Sequence, residues 1–130
     1  MYVGIAKLSL VIAESTSLKD KRMVIRRVKD RVRDRIGVVV NEVGSLDDRQ
    51  HAELGCAVAS GERHKVLELI DQVVRLAQAA SDGQVVAVAK DAWTFDVETS
   101  PLPAVDLERK GTGDKAGADD WIPEAWRDDE

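Results

Sequence analysis

One cysteine in 130 residues is too few for an intramolecular disulfide or a cysteine-based metal cluster. With no such staple, an apolar core has to hold the fold, and a chain of this length can bury one. A lone thiol, Cys56, also fits a reducing compartment. Histidine is nearly as scarce. His51 and His64 are the two, and neither stands at metal-ligand spacing from another ligand, so no metal or cofactor is expected. No apolar run approaches the roughly 18 residues that would span a membrane. The opening Met1-Tyr2-Val3-Gly4-Ile5 has no charged leader, and Lys7 interrupts its apolar character, so it reads as a strand and not as a signal peptide. Aromatics are sparse too: Tyr2, Trp93, Phe95, Trp121 and Trp126.

Charge is abundant and unevenly placed. Lys19, Lys21, Arg22, Arg26, Arg27, Lys29, Arg31, Arg33 and Arg35 stand against only Asp20, Asp30 and Asp34 between residues 19 and 35. Nine basic and three acidic residues give that segment +6, and the chain total of −5 leaves −11 elsewhere. Partners respond to such local potential, which extends about 8 Å at physiological salt.

Periodicity places the elements. Tyr2, Gly4, Ala6, Leu8, Leu10 and Ile12 share one face of a strand over 2–13. Ser17 followed by Asp20 has capping-box spacing, so a helix begins near Leu18. Leu18, Ile25, Val28, Val32 and Ile36 form its apolar stripe, and Gly37 sits at its C-terminal cap position. Val38–Val43 and 51–60 suggest a hairpin around the polar loop 44–50. Ser60 is the expected cap of a second helix with Val66, Leu69, Ile70, Val73 and Ala77 inward. A last strand is expected over Val85–Val97. The order β-α-β-β-α-β, with right-handed crossovers, predicts an α+β, ferredoxin-like domain: a four-stranded antiparallel sheet with two helices on one face.

This domain is expected to occupy 1–97. Residues 98–130 read as an acidic tail: ten acidic against four basic residues, with Pro101, Pro103, Gly111, Gly113 and Gly117 marking linker-like chain. Trp121, Ile122 and Trp126 within it are the expected protein-interaction residues, large aromatics being favoured interface anchors.

Lys19, Arg22, Arg26, Lys29 and Arg33 follow a +3, +4, +3, +4 spacing, which aligns all five along one flank of the first helix. A continuous cationic stripe suits a phosphate backbone, where charge neutralisation and counterion release supply affinity. These five are the expected nucleic-acid-binding residues. The competing interpretation is a solvated helix face with local ion pairs, in which Asp30 pairs with Arg26, Arg27 or Arg33. A further competitor is the acidic tail, lying on the stripe within the chain or between subunits. RNA readers of this fold stack bases on aromatics of the central strands, and only Tyr2 is near the first strand and none is in the third. Any nucleic-acid contact is therefore expected with backbone and shape.

No constellation for catalysis appears. His64 lies in the expected first turn of the second helix as a surface residue, and Cys56 lies on an apolar strand face as core. Asp47-Asp48 and Asp119-Asp120 read as turns or solvated patches. There is no P-loop or dinucleotide fingerprint. Acylphosphatase shares the element order, but its phosphate cradle needs an arginine and glycines in the first loop, which here is Glu14-Ser15-Thr16-Ser17. A catalytic role and a small-molecule substrate are not expected.

Met1-Tyr2-Val3-Gly4, Ser17-Leu18-Lys19-Asp20-Lys21-Arg22, Asn41-Glu42-Val43 and Ala52-Glu53-Leu54-Gly55-Cys56-Ala57 resemble the YlxP-type family, bacterial domains of unknown function, over Met1 to about Val88. The resemblance implies a ferredoxin-like fold and cytoplasmic residence. Family members are often labelled ribosome-binding-factor-like, which implies association with ribosomes or structured RNA. Two roles are thus expected: a non-catalytic RNA- or ribosome-associated factor using the basic helix, or a homo-oligomeric assembly module using the open sheet face and the tail.

Overall fold

The computed structural model describes residues 1–103. Met1–Val97 forms one compact unit. Its elements are β1 (Tyr2–Val11), α1 (Leu18–Ile36), β2 (Asn41–Gly44), β3 (His51–Ser60), α2 (Arg63–Ala80) and β4 (Val85–Thr94). The sheet is antiparallel in the order β2-β3-β1-β4. This is the ferredoxin-like arrangement. Among the described residues no helix is long and apolar enough to cross a membrane.

Alternation along the strands decides which face is covered. Ala6, Leu8, Leu10 and Ile12 are buried, as are Ala52, Leu54, Cys56 and Val58 directly beside them on β3. Helix α1 adds Ile25, Val28 and Val32, and α2 adds Val66, Ile70, Val73 and Ala77, so one aliphatic core lies between the sheet and the two helices. Cys56 belongs to that core, and burial pushes its thiol up from its ordinary value.

Helix α1 begins and ends where its caps require. Ser17 Oγ accepts from Asp20 N–H at 3.1 Å, and Gly37 takes a left-handed φ of 69° while its N–H reaches Arg33 O. The expected cap of α2 is corrected. Ser60 ends β3, and its Oγ accepts from Glu62 N–H in a turn; Glu62 occupies the cap position with no side-chain bond to the helix. Three strand ends also fall short of expectation, those of β1 and β4 where the partner strand runs out. β1 stops at Val11 because β3 begins opposite it at His51. β4 stops at Thr94 opposite Tyr2, with one more bond from Phe95 N–H to Met1 O. β2 pairs only from Asn41: Val38 and Val40 seat side chains in the core, but their backbone does not join the ladder.

Gly4 permits a close helix–sheet approach. A Cβ there would lie 2.5 Å from Val66 Cγ1 and 3.2 Å from Ile70 Cγ1. Both neighbours are branched core side chains with little room to move. Gly4→Ala is therefore expected to destabilise the domain by about 1–3 kcal/mol, the usual range for overpacking. A urea titration followed by far-UV circular dichroism would measure it, and an unchanged midpoint would show that α2 shifts freely on the sheet.

Candidate nucleic-acid interface

Burial of the apolar stripe of α1 sets the rotation of the helix and so the direction of its basic flank. With Ile25, Val28 and Val32 turned into the core, Arg22, Arg26, Lys29 and Arg33 come out on the side of edge strand β2. They line an open groove of about 390 Å³ together with Ile25, Asp30 and Glu42. Lys19 is exposed but is not among the residues lining it. The structure thus brings four of the five expected residues into one concave surface.

Not all of that charge is uncommitted. Arg33 pairs with Asp30 at 3.1 Å and approaches Asp34 at 3.5 Å. On the far flank Arg27 approaches Asp82 at 3.9 Å. Lys19, Arg22, Arg26 and Lys29 have no ion-pair partner among the described residues. Such exposed pairs are worth well under about 1 kcal/mol each, so Arg33 remains recruitable, although it starts from a local partner.

Lys21 is not on this surface at all. It is 1% exposed, and its ammonium donates to the carbonyl oxygens of Ser45 at 2.8 Å and of Leu46 and His51 at 3.3 Å. Glu42 Oε2 lies 3.0 Å from the same nitrogen. That carboxylate oxygen is itself buried and makes no aligned hydrogen bond, so Glu42 acts by charge while the three carbonyls use the ammonium's protons. The cluster ties the first turn of α1 to β2 and to the loop leading into β3. Counting Lys21 with the external basic residues therefore overstated the surface charge. The signal for its burial was present in the spacing: Lys21 precedes Ile25 by four and Val28 by seven, so it stands on the apolar stripe. Glu42 likewise continues the inward alternation of Val38 and Val40.

Two carboxylates, half-buried Asp20 and exposed Asp48, fix the loops at this end of the sheet. Asp20 accepts from Thr16 N–H and Oγ1. Asp48 accepts from Gln50 and His51 N–H and touches His51 Nδ1 at 3.0 Å. The backbone bond from Thr16 chiefly holds Asp20 below its ordinary value of 3.8, and the bond from Gln50 does the same for Asp48. A carboxylate with a depressed folded value stabilises the fold above the unfolded value, and that contribution is lost as pH falls through the folded one. Stability is thus expected to drop below about pH 4, and Asp20→Asn or Asp48→Asn to flatten the drop. Thermal melts between pH 2.5 and 6 would read this, and parallel acid limbs in wild type and variants would contradict it.

Trp93 pairs across from Val3 on the sheet face opposite the helices, and Trp93 and Phe95 are both half exposed. The aromatics and the basic groove therefore face different directions. Trp121, Ile122 and Trp126 lie outside the described residues. His64 is exposed, as expected.

Residues 3–90 match the family model described as protein of unknown function (DUF503). The chain is 31% identical over 72 residues to the uncharacterized protein YlxP of Bacillus subtilis strain 168, an alignment covering 55% of this chain and 78% of that one. Among solved structures it is similar to a de novo designed protein with a ferredoxin fold, at TM-score 0.47 and 12% identity over 81% of this chain and 96% of that one. A dimeric ferredoxin-like protein from an uncultured marine organism is similar at TM-score 0.39 and 14% identity, over 78% and 95% of the two chains.

Proposed function

Because the chain belongs to the DUF503, YlxP-type family, whose function is unknown, its role has to be read from its own surface, and we propose that it is a non-catalytic factor binding the backbone of structured RNA through the α1 groove. The observation carrying this reading is the convergence of Arg22, Arg26, Lys29 and Arg33 on one concavity beside β2. From Arg22 to Arg33 the stripe runs roughly 16 Å along the helix, which suits a row of phosphates and not a single anion. The aromatics that could stack bases lie on the opposite face of the sheet, so a strand in the groove would be held by charge and shape. A ribosomal or other structured RNA in the cytoplasm is the partner this reading favours.

The test is binding of a duplex-containing RNA across a salt series. Four cations without ion-pair partners, Lys19, Arg22, Arg26 and Lys29, predict a log–log slope of about −2.8 to −3.6. Recruitment of Arg33 would steepen the slope by about one further contact. Fluorescence anisotropy between 50 and 300 mM salt would measure it, and a flat dependence would reject phosphate recognition.

A further inference from the structure

The helix-free sheet face has a distribution of charge and shape that the RNA reading does not use. On β1 it presents Val3, Ile5, Lys7 and Ser9; on β3, Glu53, Gly55, Ala57 and Ala59; on β4, Ala87, Ala89, Asp91 and Trp93. Ile5 is 41% and Trp93 44% exposed, and the four alanines are exposed as well. Alanines between two larger apolar residues leave a low surface that another flat sheet can approach closely. At its middle stand two charges of opposite sign, Lys7 and Asp91, and a third, Glu53, lies beside Ser9 on β3 toward the β2 side. Lys7 stands opposite Ala89 and Asp91 opposite Ile5, so these two are diagonal neighbours on adjacent strands. Neither Lys7 nor Asp91 has an ion-pair partner among the described residues.

We propose that this face is a self-association surface, occupied by the same face of a second copy of this chain, with Lys7 of each copy meeting Asp91 of the other. An interface about a twofold axis must be self-complementary: if one residue touches a second, the second touches the first on the partner. Lys7 and Asp91 at the centre of the face satisfy that condition, since a single rotation forms two equivalent ion pairs, while Glu53 adds one off-centre anion per copy. Most other partners would have to supply a matching pattern of their own. Three ten-residue strands spaced about 4.8 Å apart offer a face of roughly 14 by 33 Å, so two such faces bury on the order of 1,000 Å² in total. That is at the lower limit for specific association, and the dimer is therefore weak, with a dissociation constant of roughly 1–100 μM.

Sedimentation velocity of the full chain from 5 to 500 μM is the measurement, in RNA-free protein at 150 mM salt. The wild type is expected to shift from monomer to dimer over that range. Lys7→Asp alone and Asp91→Lys alone each place like charges together at both symmetric positions and are expected to raise the dissociation constant at least about tenfold. The double exchange, Lys7→Asp with Asp91→Lys, restores the pairs and is expected to return it to within about threefold of wild type. All three changes are at exposed positions, and melting temperatures within a few degrees of wild type would confirm that the fold is intact. A monomer at every concentration overturns the proposal. So does a dimer that ignores the single substitutions, or single-substitution losses that the double exchange fails to repair. A dimer lost instead on Val88→Lys, at the outer edge strand, would assign association to edge pairing of β4 and overturn the face-to-face arrangement.

Discussion

Lys21→Met is expected to lower the unfolding free energy by about 3–5 kcal/mol, the largest effect of any single side chain outside the apolar core. Methionine keeps the length and apolar stem of lysine, so the cavity contribution is small. What is lost is the ammonium. Three carbonyls, those of Ser45, Leu46 and His51, then lose their common donor, and Glu42 keeps a buried oxygen with no cation beside it. Each orphaned group costs its own desolvation, about 1–3 kcal/mol before local relaxation. Against a typical total of about 5–15 kcal/mol for a domain of this size, that share is large enough to lower expression as well as the urea midpoint. Lys21→Arg is expected to fare little better, because a planar guanidinium does not fit a site closed to solvent around a compact ammonium. Adding Glu42→Gln to Lys21→Met should recover part of the loss, since it removes the uncompensated charge but not the unpaired carbonyls. A loss below about 1 kcal/mol for Lys21→Met would mean that water or a neighbouring residue replaces the ammonium.

That residue marks the division between what was legible in the sequence and what was not. The caps of α1 were legible because Ser17 and Gly37 act locally, through bonds to residues three and four positions away. The core faces of β1, β3 and both helices were legible because burial follows a fixed period. Lys21 and Glu42 obey the same periods, yet a charge on an apolar face is ordinarily assigned to the rim. Their pairing depends on α1 and β2 meeting across 21 residues of chain, which no local pattern specifies. The groove has the same origin. The stripe of Lys19, Arg22, Arg26, Lys29 and Arg33 could be drawn on the helix from spacing, but which cations would be enclosed depended on where β2 lay. Strand β2 itself was overextended for a related reason. Val38-Val39-Val40 has strand propensity and alternating burial, but a ladder also requires backbone partners.

Reversing Arg22, Arg26 and Lys29 together to glutamate is expected to weaken binding to structured RNA by roughly 100-fold or more near physiological salt, and to remove most of the salt dependence. The three supply most of the groove's uncommitted positive charge, and their reversal leaves Asp30, Glu42 and the new carboxylates facing the phosphates. Net charge alone could produce some of that loss, so the informative comparison is a variant with the same charge change elsewhere on α1. Arg27, Arg31 and Arg35 are exposed and are not among the residues lining the groove, and only Arg27 has an ion-pair partner among the described residues, Asp82 at 3.9 Å. Reversal of these three alters the long-range field equally but leaves the groove intact, and it is expected to cost only a few-fold through slower association. Both variants change exposed or half-exposed side chains, so matched melting temperatures would separate loss of binding from loss of fold. Equal losses in the two variants would mean that the helix attracts RNA only as a diffuse charge. Loss confined to the groove variant would locate recognition beside β2, on the side of the sheet opposite Ile5 and Trp93, leaving the second face free for a second copy of the chain while RNA is bound.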